Sequence, residues 1–418
     1  MKIINYNFNV DREELIRPFK FKGGQFTEKW ITITTVESKK GYKSTGIGGL
    51  AILWSDPDVF SANSETGGNI IMSAIAEYAL KLIKDKEFIT PIEALESIFN
   101  PLHKYGQKIT NNKKLKKSFT LNSLVSLDNA LWKIYALENN IKNFYDLIPH
   151  QYKEAFLNHQ KQLVCIPSIT YNLPLNQINE LVKNGHFFLK IKIGQSGSQK
   201  DMLGKDKKRI LEIYEATKSE KTEYTNNGKI LYYLDANGRY LKKETLQKLL
   251  EYADKIKMLE QISILEEPFP KKAEIDVFDL PVRISADESL SSVDDVNNKI
   301  DLGYQAITLK PAGKTLSMSL KMGYTAYKRN VLYYVADSLC VPILLDWNKN
   351  VAVRLNNFPG IKMGIIESNG PQFYKNWKKL LKDHPYYNAE WLEPKNGIFC
   401  INNNFYETSG GIFSEPKN

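Results

Sequence analysis

The 418-residue sequence predicts an α/β protein: a parallel (β/α)-barrel preceded by an α+β region. Three observations predict it. Eight short apolar runs recur between Val164 and Ser368, each ending in a polar residue. Segments of helical character separate most of them. The runs are continuously apolar rather than alternating, as strands buried on both faces are. A doubly wound open sheet is the competing architecture.

Taken in order, the chain up to about residue 65 reads as strands. Trp30–Ser38 (WITITTVES) alternates and is β-branched, and Gly23–Gly24 and Gly46–Gly49 punctuate the region. From Ile70 to Ile83 apolar residues take helical spacing. Thr90–Phe99 opens with a Thr cap and Pro at the first helical position, and Ser123–Leu137 is a strongly apolar helix. The eight runs are Val164–Tyr171, Phe187–Gly194, Ile230–Gly238, Ile262–Pro268, Val282–Ser289, Ala306–Pro311, Val341–Trp347 and Lys362–Ser368. Tyr240–Lys257 is typical of the helical segments between them. Lys218–Lys229 is polar and reads as a surface insertion, while Thr315–Leu339 is longer than one helical connection needs. After residue 370 no βα pattern continues; aromatic and turn residues, as in His384–Pro394, mark a tail that packs back on another domain. The expected organisation is an α+β unit over 1–160, the barrel with the active site over 161–370, and a returning tail over 371–418.

Composition excludes several classes. With 42% apolar and 25% charged residues the chain is neither collagen-like, disulfide-stapled nor disordered. No run approaches 18 apolar residues, so no membrane span is expected, and the N-terminus lacks the apolar core of a signal peptide. Three dispersed cysteines suit a reducing compartment, and cytoplasmic is the expectation. The net charge of +10 is scattered. Its clusters at Asn112–Ser118 and Lys205–Arg209 lack interleaved aromatics, so they read as solvated faces rather than a nucleic-acid track.

Barrel enzymes place their chemistry at the C-terminal strand ends. Reading those ends gives Lys190 and Lys192, then Asp235, Glu266 with Glu267, Asp287 with Glu288, and Lys310. Neighbouring strands lie about 4.8 Å apart, so carboxylates from three adjacent ends can converge on one ion. Oxygen donors without Cys or His suit Mg²⁺ rather than zinc. The alternative is that these acids cap helices or pair with the nearby lysines.

Lys190 and Lys192 are two apart on one strand and face the same way. Two inward lysines on a doubly buried strand are disfavoured unless something uses them. Strands two and six are diametrically opposite in a ring of eight, so Lys310 would face that pair across a bound substrate. Such a layout takes a proton from one face and returns one to either. The α-proton of a carboxylate is very weakly acidic, and oxygens coordinated to a cation stabilise the charge left by its removal. A lysine base needs a pKa below the usual value near 10.4, and a neighbouring lysine or cation pushes it that way.

These strand ends, read as LKIKIG, LDANG, LEEP, ADES and ITLKP in that order, resemble the enolase superfamily, in particular its muconate-lactonizing-enzyme-like subgroup. SLVSLDNALWKI (Ser123–Ile134) is similar to that family's helix ahead of the barrel. The resemblance implies a (β/α)7β TIM-type barrel with an α+β capping domain built from the N-terminal region and the C-terminal tail. It implies Asp235, Glu266 and Asp287 as ligands of one Mg²⁺ (or Mn²⁺), steadied by Asn237 and Glu288. Lys192 and Lys310 would be the acid/base pair, with Lys190 polarising the substrate carboxylate. Gly23–Gly24 and Gly46–Gly49 resemble cap loops that close over the substrate, although ordinary turns would look the same. A small carboxylate substrate and a homo-oligomer are further implications; a nucleic-acid or membrane partner is not.

The sequence departs from the pattern in places. None of its five histidines ends a strand, which disfavours a Lys/His pair. Dipeptide epimerases of the subgroup commonly carry Asp-x-Asp on strand eight to hold the substrate ammonium; here Glu367–Asn369 reads ESN. Glu367 and Asn369 are substrate-contact candidates, as are Asp346 and Trp347, for which helix capping and core packing are an equal alternative. The reading favoured is a racemase or epimerase acting beside the carboxylate of an amino-acid or dipeptide derivative. A lyase, either dehydratase or cycloisomerase, would use the same scaffold, and a non-catalytic basic binding protein is the alternative of another class.

Overall fold

The computed structural model describes residues 1–415. It opens on a long hairpin. Strand β1 (Ile3–Phe21) pairs antiparallel with β2 (Gly24–Ser38), which pairs with β3 (Lys43–Gly49). Only Lys22 and Gly23 join the first two strands, and both take positive φ (52° and 76°), the two-residue turn whose twist matches its strands. Helix Pro57–Ile83 packs on this sheet, helix Pro91–Ile109 packs on that helix, and helix Val125–Glu138 lies on the sheet again. Thr90 caps the second of them, accepting from Glu93 N at 3.2 Å ahead of Pro91. Helix therefore begins before Ile70, with a single turn at Ile52–Ser55 followed by Pro57–Ile83.

Gly46–Gly49 belongs to a strand rather than a loop, which corrects the expectation of a mobile segment there. A Cβ on Gly46 would lie 2.1 Å from Ser126 O, so this strand needs glycine to lie flat on helix Val125–Glu138. The residues that follow it, Leu50–Ile52, do reach the cavity described below.

Eight parallel strands then close a ring. The first is broken at Pro167 into β4 (Gln162–Ile166) and β5 (Ser168–Ile169). After it come β6 (Phe188–Lys192), β7 (Leu231–Asp235), β8 (Ile262–Glu266), β9 (Ile284–Ala286), β10 (Ala306–Leu309), β11 (Leu332–Val335) and β12 (Gly364–Glu367). β4 pairs with β12 and β5 with β6, so the two halves of one strand bond the two ends of the sheet. A short β13 (Ile398–Cys400) runs antiparallel beside β4. The (β/α)-barrel reading holds; the open sheet does not.

One predicted strand is a helix. Val341–Trp347 starts helix Pro342–Ala352, and the seventh strand is Leu332–Val335, inside the stretch that looked too long. That stretch also holds helix Leu316–Lys328, which removes the anomaly. An apolar run of seven is compatible with either element when buried. Asp346 and Trp347 consequently leave the strand ends. Asp346 is fully buried, 2.9 Å from Lys349 Nζ, 3.0 Å from His384 Nε2 and 3.1 Å from Trp391 Nε1. It anchors the C-terminal segment, while Trp347 packs edge-on to Phe144.

The C-terminal segment also reaches the N-terminal region. Lys375 N donates to Glu14 O (3.0 Å), and Lys133 Nζ meets Glu415 Oε1 (2.7 Å) and Ser414 O (2.9 Å). Lys218–Lys229 is largely exposed and precedes β7. The three cysteines are free thiols, and among the described residues no helix is long and apolar enough to cross a membrane.

Candidate active site

Seven successive strands of the ring, from the second to the eighth, deliver charge to one end. β6 supplies Lys190 and Lys192, whose spacing turns both side chains inward and buries them. Asp235 ends β7, Glu266 ends β8, and Asp287 and Glu288 follow β9. Lys310 follows β10, Asp337 lies just after β11, and Glu367 ends β12. All are buried.

Lys190 Nζ stands at the hub. It lies 3.0 Å from Asp235 Oδ2, 2.7 Å from Glu266 Oε2 and 3.0 Å from Glu367 Oε2. Lys192 Nζ donates to Asp235 Oδ2 (2.5 Å) and Asn237 Oδ1 (3.3 Å). Across the ring, Lys310 Nζ donates to Asp287 Oδ2 at 2.7 Å and sits 4.3 Å from the centre of the Trp54 ring. Trp54 Nε1 donates to that same Oδ2 at 3.0 Å. Lys314, fully buried, takes the other side of Asp287, donating to Oδ1 (2.9 Å) and the backbone oxygen (2.6 Å).

The tightest carboxylate cluster is Glu266, Asp287 and Glu288, with one oxygen from each lying within 4.8 Å of the others. Asp235 stands outside it, drawn between the two ammonium groups of β6. Asn237 ties the two parts together: its N donates to Asp235 Oδ1 (3.0 Å) and its Nδ2 to Glu288 Oε1 (2.7 Å). Glu267 turns away and accepts from Asp287 N (2.7 Å) and Ser289 Oγ (3.0 Å), fixing the loop that carries Asp287.

These residues fit a hard divalent cation. Glu266 Oε1 and Glu288 Oε2 are buried polar atoms with no hydrogen-bond partner among the described residues, which is costly unless something binds them. The donors are all oxygen, as Mg²⁺ requires.

Charge and burial pull the pKa values apart. Burial raises Glu266, and despite the opposing Lys190 its carboxyl is pushed up to about 8. Burial also raises Asp287, but Lys310 and Lys314 outweigh it and hold the carboxyl well below its usual range. The lysines reverse the sequence expectation. Burial lowers Lys190 and Lys310, yet Asp235, Glu266 and Glu367 around the first, and Asp287 beside the second, carry both above the ordinary lysine value. Carboxylates, not a fellow ammonium, are their nearest charges.

Above this layer lies a cavity roofed by Phe19, Phe21, Phe26, Trp54 and Phe60. Glu367 and Asn369 both line it, and Asn369 Nδ2 donates to Glu367 Oε1 at 2.8 Å. Gly23 and Gly24 form the tip of the β1–β2 hairpin, where Gly23 faces the Arg239 guanidinium and Gly24 packs on Leu53. The flanking Phe21 and Phe26 enter the cavity, with Lys192 Nζ 5.2 Å from the centre of the Phe21 ring. Asp346 and Trp347 do not line it.

No protein-family model matches the sequence, and no curated protein does. Solved structures match throughout. A mandelate racemase/muconate lactonizing protein from Herpetosiphon aurantiacus aligns at TM-score 0.65 and 16% identity over 96% of both chains. The dipeptide epimerase of Enterococcus faecalis, solved with Mg and L-Leu-L-Tyr, aligns at 0.62 and 15% over 96% of this chain and 98% of its own. For 2-chloromuconate cycloisomerase of Rhodococcus opacus the values are 0.65, 16%, 96% and 94%. The chain has the mandelate racemase/muconate lactonizing fold. Identities this low carry the architecture and no more.

Within that fold, sequence reasoning missed Lys29, Trp54, Lys314 and Asp337. Asp337 had a signal, since LYYVAD (Leu332–Asp337) is a β-rich run ending in an acid. Lys314 is four residues after Lys310, which a reader of helix spacing can use. Trp54 and Lys29 come from the capping region, where nothing local announces that they face the barrel.

Proposed function

We propose that this chain is an enzyme of the enolase superfamily that removes a proton α to a carboxylate, and that it acts as a racemase or epimerase of an amino-acid or dipeptide derivative. The observation that carries the reading is the placement of Lys192 and Lys310 on opposite strands of the ring, with the buried carboxylates between them. Glu266, Asp287 and Glu288, with Asp235 beside them, would hold Mg²⁺. Bound there, the cation offsets the negative charge that develops on the substrate carboxylate and relieves the attraction that keeps the lysines protonated.

The chain's own groups do the rest. Lys190, released from part of its carboxylate shell, donates to the substrate carboxylate and fixes its plane. A neutral Lys192 Nζ accepts the α-proton: the C–H bond breaks, its electron pair moves into the carboxylate, and an N–H bond forms. The ammonium of Lys310 then delivers a proton to the opposite face, and the configuration inverts. The aromatic roof of Phe21, Phe26 and Trp54 keeps water from the planar intermediate.

Incubating the Mg²⁺-supplemented protein in D₂O with a panel of dipeptides and N-acyl amino acids tests this by proton NMR. Exchange of the α-proton with inversion is expected for at least one compound. Exchange accompanied by an alkene absorbance would move the assignment to a lyase, and no exchange with any acid would defeat it.

A further inference from the structure

Lys29 projects from β2, in the capping sheet, and lines the cavity with only 2% of its surface exposed. Its Nζ donates to the carbonyl oxygen of Ser338, after β11, at 2.6 Å. An ammonium carries three N–H bonds, and that carbonyl takes one. The other lysines of this cavity are neutralised: Lys190, Lys192 and Lys310 each have a carboxylate oxygen within 3.0 Å. Among the described residues Lys29 has no carboxylate within 4.0 Å.

Nearby groups do not supply the missing anion. Cys340 and Asp337 are close enough to influence Lys29, but burial holds the Cys340 thiol well above its usual range and so neutral, and Asp337 accepts through Oδ1 from Cys340 N (3.0 Å) and through Oδ2 from Asn369 N (3.0 Å). Lys310 adds repulsion. Burial is the largest influence on Lys29 and brings its pKa down to about 8, still cationic at neutral pH. A buried ammonium without a carboxylate partner is costly to keep, and an anion from outside would remove that cost.

We propose that Lys29 binds a second anionic group of the substrate, so that the acid handled here is a dianion. Its reacting carboxylate meets the barrel strand ends, and its second carboxylate or phosphate lies in the cap half of the cavity. The assignment rests on reading the barrel centre as an acid-binding site. It also accounts for a strand eight that offers Glu367, already engaged by Lys190, where a substrate ammonium would want free carboxylates.

Isothermal titration of the Mg²⁺-loaded full chain decides it. N-acetyl-L-aspartate, N-acetyl-L-glutamate and N-acetyl-L-2-aminoadipate are each compared with their side-chain amides, and N-acetyl-O-phospho-L-serine with N-acetyl-L-serine. At least one anion should bind about 30-fold or more tightly than its uncharged partner, the scale of a desolvated charge pair. The pair that shows it tells carboxylate from phosphate. Lys29→Met should abolish the difference and Lys29→Arg keep most of it, with melting temperatures checking that each variant folds. Equal affinities in every wild-type pair, or no binding, overturn the proposal even if the variants fail to fold. Discrimination that survives Lys29→Met overturns it too, leaving Lys29 a strut to Ser338. α-Proton exchange in the same samples is scored separately: discrimination without exchange defeats the catalytic reading and leaves the dianion site standing, and exchange without discrimination does the reverse.

Discussion

Lys314 and Lys310 grip Asp287 from opposite sides, the first through Oδ1 and the backbone oxygen, the second through Oδ2. The two lysines differ in freedom. Lys310 borders the cavity, whereas Lys314 has no exposed surface and, apart from the Trp54 ring centred 5.6 Å away, holds only Asp287 among the described residues. Asp287 therefore keeps its orientation through Lys314 when Lys310 engages something else. Lys314→Met removes that anchor and leaves a buried carboxylate oxygen unpaired. A loss of about 3 kcal/mol in urea unfolding is expected, the scale for breaking a buried ion pair.

The opposed lysines should separate by stereochemistry. If Lys192 serves one face and Lys310 the other, Lys192→Met abolishes α-proton exchange from one enantiomer and Lys310→Met from its mirror image. Each loss should be about 10²–10⁴-fold. NMR exchange with resolved enantiomers measures it; equal loss from both enantiomers in either variant would end the two-base mechanism.

Mg²⁺ should stabilise the fold. A ligand bound only by the native state adds about 2.7 kcal/mol at a concentration one hundred times its Kd. The melting temperature is therefore expected to rise with added Mg²⁺ and fall back with a chelator. In Glu266→Gln, which loses a cluster carboxylate with a lone buried oxygen, the rise should shrink or vanish.

Away from the cavity, Asp128 gives a pH prediction. It joins helix Val125–Glu138 to the barrel, accepting from Ser317 Oγ (2.5 Å) and Ser317 N (3.1 Å). Burial pushes its carboxyl up to about 7, against the hydrogen bonds from Ser317. The folded chain thus holds a proton that the unfolded chain, titrating near 3.9, has lost. Native protons exceed unfolded ones between about pH 4 and 7, so this group's contribution to stability falls as pH rises through that window. Asp128→Asn should remove that part of the slope, read as a flatter difference in unfolding free energy against pH.

Much of the barrel was legible because doubly buried strands carry a strong local signature: short apolar runs capped by polar residues. The same signature misled at VPILLDW, since a helix buried all round is apolar too. Only Pro342, suited to a first helical turn, argued otherwise. Lys190, Lys192, Asp235, Glu266, Asp287 and Lys310 were readable because strand ends share one rim. Which carboxylates cluster was not, because it depends on where ammonium groups draw them: Asp235 goes to Lys190 and Lys192, while Glu288 joins Glu266 and Asp287. Lys29 and Trp54 reach the rim from another sheet and helix, a docking that no local spacing encodes.

The break at Pro167 makes the first strand a clasp with one half on each neighbour. Its first half, β4, pairs with the eighth strand, some two hundred residues later in the chain, and that same strand brings Glu367 to Lys190. Sealing the circle and completing the carboxylate shell of Lys190 thus depend on the same strand. A chain halted before Gly364 would bear both an open seam and a less neutralised centre. Long-range closure of this kind is slow, and an open strand edge is prone to pair with other chains.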